Sequence, residues 1–172
     1  LPHYFAMGVN NSKMCYEPIM EYGKEAMESN RNNQLSKAYE QVVLAIIVST
    51  ALASIYLTAE HTVHYNSGLA HAIFYSMTSY PHIEKKHLHG EVVSYGVLNL
   101  LLVDQNTEDF ERVYNFNKSV GLPTCLEDLE FEKSQIDDLA KGAVVMKDIE
   151  HNPYVITGEM LSEAMRKLEA LK

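Results

Sequence analysis

Apolar residues recur along this chain at three- and four-residue intervals, and no stretch sustains the two-residue alternation of a half-buried strand. The pattern predicts helix after helix. A first helix is expected from a cap at Ser12 through Asn30, with Met14, Ile19, Met20 and Met27 spread over its faces, and residues 30–33 break it. A second is expected from about Gln34 to Glu60, and a third from Asn66 to Ser79. The next begins at or near His89 and reaches Val103, with Val93, Val97, Leu100 and Leu101 recurring at helical spacing. Thr107 reads as the N-cap of another, in which Phe110, Val113, Phe116 and Val120 form an apolar stripe that stops at Gly121 and Pro123. Ser134 with Asp137 resembles a weak cap for a helix through Met146, and Thr157 starts the last one, through Leu171. The expected class is all-α, a multi-helix bundle.

One segment tests that reading. Val42 to Ala59 holds no charged residue and is about long enough to be considered for a bilayer. Its Ser49, Thr50, Ser54, Tyr56 and Thr58 leave it only moderately apolar, while Ala45, Ala51 and Ala53 permit close helix packing. A buried central helix of a soluble bundle, with no membrane partner, is therefore expected.

Composition narrows the class further. A length of 172 residues with 47% hydrophobic content fits a single helical domain over 1–172 with a sizeable core. The formal net charge of -9 disfavours a nucleic-acid partner, which needs a clustered basic surface to release counterions. Cys15 and Cys125 read as reduced thiols, and a signal-peptide pattern is lacking, so the cytoplasm is the expected compartment. Neither a GxGxxG element nor a Walker loop occurs, so a complete nucleotide site is not expected.

The candidate chemistry lies among the histidines. Six of the eight, His61, His64, His71, His82, His87 and His89, fall in one short window. His71 sits in Gly68-Leu69-Ala70-His71-Ala72-Ile73, and His89 in His87-Leu88-His89-Gly90-Glu91-Val92-Val93. Together they read as two ligands of a catalytic metal, since neutral imidazole binds zinc or ferrous iron and such a site needs about three protein ligands. Tyr80-Pro81 between them interrupts a helix, which puts the two histidines on or near successive helices. The alternative for His71, flanked by Ala70, Ala72 and Ile73, is a hydrogen-bonded core residue. His82 and His87 read as a polar, solvated stretch. Glu91 has two open roles, orienting a ligating imidazole or starting a helix as an acid favoured by the dipole.

The order GLAHAI, LHGEVVSYG, SVGLPTCLEDL (Ser119 to Leu129) and a late His151-Asn152-Pro153 before the final helix resembles the C-terminal half of glycerol dehydrogenases. These belong to the iron-containing alcohol dehydrogenase superfamily. The resemblance implies the helical C-terminal domain of the dehydroquinate synthase-like fold, with His71 and His89 as metal ligands and no role for His87. It also implies a divalent metal, Zn or Fe, and NAD or NADP bound mainly by an N-terminal nucleotide-binding domain absent from this chain. The substrate would be a small alcohol or polyol, and homo-oligomerisation is expected. The fragment alone would be inactive. A third ligand, an Asp, would stand two residues before Leu1, and His3 would stand where iron-dependent members carry an additional His. The chain departs from the pattern at Tyr65-Asn66-Ser67-Gly68-Leu69-Ala70, which is more compact than the glycine- and alanine-rich approach of the family. That departure leaves open a non-catalytic helical interaction module on a dehydrogenase-derived scaffold, and the missing cleft half leaves open a related 2-hydroxy acid dehydrogenase.

Overall fold

The computed structural model describes residues 3–58 and 67–172, and all regular structure among these is helical. The chain divides into two compact units, Leu1–Asn66 and Ser67–Lys172.

Among its described residues the first unit holds three α-helices and a π turn. Helix α1 is long, His3–Arg31, and begins well before the cap expected at Ser12. Ser12 is an interior residue whose hydroxyl donates to the Gly8 carbonyl, one turn back. Such a bond satisfies a hydroxyl inside a helix as readily as capping does at its end. The second helix is interrupted. Helix α2, Lys37–Leu44, is capped by Ser36, whose side chain accepts from the Tyr39 N–H; a π turn over Ala45–Ser49 follows, and α3 runs Thr50–Leu57. The Thr50 hydroxyl donates to the Ala45 carbonyl across that wider turn. Both α2 and α3 pack on α1.

The expectation of a buried central helix fails here. Lys37–Leu57 remains long and apolar enough to cross a membrane, with a mean hydropathy of 1.8. What it buries is Ala38, Ala45 and Ala53, while Leu44, Ile46, Ile47, Val48, Leu52 and Ile55 face outward. Close approach to α1 selects small residues for most of the contact, with Leu57 seated on Gly8, and turns most of the large branched ones away.

The second unit carries a core of large side chains. Helix α4 spans Leu69–Thr78, α5 Pro81–Lys86, α6 His89–Val103, α7 Thr107–Val120, α8 Ile136–Ala143 and α9 Gly158–Glu169. Short 3-10 turns lie at Leu126–Leu129, Lys133–Gln135 and Lys147–Ile149. Helix α4 packs against α6 and α8, and α9 closes on both of these, burying Leu69, Ile73, Met77, Leu98, Leu139, Leu161, Met165 and Leu168 completely or nearly so. Pro81 stands in the first turn of α5, where its missing N–H costs nothing, so the expected break is also a start. Asn106, one residue before the expected Thr107, caps α7 by accepting from the Asp109 N–H. Gly121, with φ of 80°, ends that helix in the left-handed conformation. Thr157 caps α9 as expected.

The buried face of α6 is also rotated from the expected one. Val92, Tyr95, Gly96, Asn99 and Val103 are buried, whereas Val93, Val97, Leu100 and Leu101 are half-buried. A helix apolar almost all round carries no periodic signal that picks its inner face.

Candidate metal centre

Helices α4 and α6 bring the two signature histidines together. His71 lies in the first turn of α4, just after the N-cap Gly68, whose carbonyl accepts from the His71 and Ala72 N–H groups. His89 is the first residue of α6. The helices approach closely because α6 presents Gly96 to Ala70: a Cβ at Gly96 would lie 2.6 Å from the Ala70 carbonyl oxygen and 2.8 Å from its Cα. Ser76 fixes the other end of α4 by donating to the Leu139 carbonyl of α8 at 2.8 Å. The imidazole centroids of His71 and His89 end 5.5 Å apart, with their planes tilted by 41°.

Two imidazoles on one tetrahedral metal, each nitrogen about 2.0–2.1 Å away, have centroids about 5 Å apart. The observed pair therefore fits two ligands of one ion. His71 is half-buried and His89 exposed, so the pair opens to one side. Burial first, and the His89 imidazole second, hold His71 below the usual histidine range, while Asp148 on the 147–149 turn pulls it upward. A lowered value favours the neutral ring, which is the form that ligates.

Phe74, one turn after His71 on α4, stands edge-to-face with the His89 ring at a centroid separation of 4.3 Å and an angle of 76°. Contacts of this kind contribute about 0.5–1.5 kcal/mol beyond the area they bury. Sequence reasoning passed over Phe74 and Asp148. The i, i+3 spacing from His71 to Phe74 was a usable local signal; Asp148 is distant along the chain and gave none.

The other candidates fall elsewhere. Glu91 accepts from the Leu88 N–H at 3.0 Å and so caps the start of α6, the second of its two open roles. His87 sits with its Nδ1 3.6 Å from the Glu91 carboxylate and is half-buried. His82 packs against Phe131 at 4.9 Å and places Nε2 3.2 Å from the Leu129 carbonyl. Neither is the solvated residue that the local sequence predicted: Phe131, from a distant segment, walls His82, and the Glu91 carboxylate, four residues on, lies beside His87. His3 opens α1 in the first unit, exposed beside Tyr4. His61, His64, Tyr65 and Asn66 lie outside the described residues, as does the position expected for the Asp ligand. Among the described residues, no group of three or more His, Cys, Asp or Glu side chains converges on one point.

No protein-family model matches the chain. A glycerol dehydrogenase from Thermotoga maritima is 31% identical over 163 residues, covering 90% of this chain and 42% of that protein. Hydroxycarboxylate dehydrogenase A of Escherichia coli K12 is 27% identical over 176 residues, covering 100% of this chain and 47% of its own length. Glycerol dehydrogenases, of the iron-containing alcohol dehydrogenase family, recur among the relatives. This chain corresponds to their C-terminal part and spans less than half the length of these relatives. The crystal structure of a probable glycerol dehydrogenase from Sinorhizobium meliloti 1021 superposes with a TM-score of 0.82 at 24% identity, over 96% of this chain and 46% of that one. That likeness agrees with the expected helical C-terminal domain fold.

Proposed function

We propose that residues 1–172 are the helical, metal-holding half of an NAD(P)-linked alcohol or polyol dehydrogenase. The observation that carries this is the convergence of His71 and His89, 5.5 Å apart, at the ends of two helices that Gly96 lets close on each other. In this reading His71 and His89 hold a divalent metal, zinc or iron, together with a carboxylate from elsewhere in the protein. When bound, the metal supplies Lewis acidity toward a substrate hydroxyl. The residues of this chain bind and orient: the neutral His71 ring offers a lone pair from a half-buried setting, and the capped start of α6 fixes the His89 backbone. The nicotinamide nucleotide, as hydride acceptor, belongs to the N-terminal domain implied by the family, and the fragment alone is inactive on this account.

The similarity to glycerol dehydrogenases favours a polyol substrate, and the similarity to hydroxycarboxylate dehydrogenase A favours a second reading, a 2-hydroxy acid. The protein is proposed to act in the cytoplasm and as a homo-oligomer. The test uses the protein at its full natural length, assayed with glycerol, other diols and 2-hydroxy acids. His71→Ala and His89→Ala are each expected to lose bound metal and turnover together. Retention of both metal and turnover in either variant rejects the assignment, and the substrate panel separates the two readings.

A further inference from the structure

His89 presents a problem of aim. As the first residue of α6 its backbone is fixed, because Glu91 holds the Leu88 N–H and the Leu88 carbonyl accepts from the Glu91 and Val92 N–H groups. Its side chain is exposed, however, and a solvent-facing imidazole on a fixed backbone is free to turn among its rotamers. One ring restricts it on the side of α4: Phe74, 4.3 Å away and nearly perpendicular. Phe74 is in turn flanked by Tyr75, whose ring centroid is 5.3 Å from its own. His71, one turn before Phe74, receives the imidazole so aimed.

We propose that Phe74 is a positioning residue of the metal centre, holding the His89 imidazole in the rotamer that converges on His71. The proposal rests on the metal reading above. A ligand already aimed loses less side-chain freedom when it binds, so the aromatic contact strengthens metal affinity without touching the ion. The role asks for a flat ring at position 74, and tyrosine supplies one where leucine does not.

The experiment measures Zn(II) affinity of the full-length protein, stripped of metal, by competition with a chromogenic chelator. Phe74→Leu is expected to weaken binding by about tenfold, in the range seen when groups that orient a ligand are removed, and Phe74→Tyr to restore it. His89→Ala, measured alongside, should lose affinity by more than about a hundredfold. If His89→Ala binds as wild type does, the metal reading fails and the proposal falls with it. If His89→Ala loses the metal but Phe74→Leu binds normally, the metal reading stands and the positioning role is overturned. A folded-state readout runs independently of the variants: the metal-free wild-type protein is expected to show nuclear Overhauser contacts between the Phe74 and His89 ring protons. Their absence overturns the proposal even if Phe74→Leu fails to fold.

Discussion

The same residue type meets opposite fates in the two units. Ile73 on α4 is completely buried, while Ile47, in the π turn of the first unit, is 65% exposed. The contrast extends through both. The second unit fills its interior with leucine, isoleucine, methionine and Tyr95; the first buries Gly8, Gly23, Ala26, Ala38, Ala45 and Ala53 and turns Leu44, Ile46, Ile47, Val48, Leu52 and Ile55 outward. Apolar content therefore does not report burial. A helix packed through small residues brings backbones close but removes little side-chain area from water, whereas interlocking large side chains remove much more. The candidate metal centre lies in the unit with the large-residue core, where α4 and α6 are each anchored by several neighbours.

The strongest test of this contrast is Ile73→Ala. It should cost about 2–5 kcal/mol, read by denaturant unfolding of the full-length protein, because the methylenes removed leave a cavity in a closed interior. A cost near zero would mean that α4 is loosely held and could not fix His71. Gly96→Ala comes next. Its methyl meets backbone of Ala70, which cannot rotate aside as a side chain can, so a loss of about 1–3 kcal/mol is expected together with weaker Zn(II) binding as α4 and α6 separate. Loss of stability with unchanged metal affinity would detach the helix approach from the site. The smallest effect is expected from Ile47→Ala, within about 0.5 kcal/mol by the same measurement. A cost comparable to that of Ile73→Ala would show that the outward face of the first unit is covered in the full-length protein, and the contrast would then vanish.

Much of the helical plan was legible because it rests on local signals. Gly121 in a left-handed cap and Thr157 beneath the Met160 N–H act over three or four residues, so their effect is readable in place, whereas Pro81 was read as a break and not as the start of α5. Ser12 misled because a hydroxyl serves equally as a cap or as a bond to the preceding turn. The two histidine signatures were legible as motifs, and the order of motifs supplied the resemblance to glycerol dehydrogenases that the comparisons also find. The π turn at Ala45–Ser49 and the inner face of α6 were not readable, since nothing in an unbroken apolar run distinguishes its sides.

By itself the sequence determined the all-helical class, most of the helix boundaries, the resemblance to glycerol dehydrogenases and the histidine pair as a motif, all consequences of short-range backbone chemistry or of residue order. The tertiary structure alone decided that Gly96 lies against Ala70 and that Phe74 stands against His89. It also decided that Glu91 caps the start of α6, and that the longest apolar run buries Ala45 and Ala53 and exposes its isoleucines. These outcomes depend on which surfaces meet, and that is fixed by packing between segments far apart in the chain, where no local pattern records the partner.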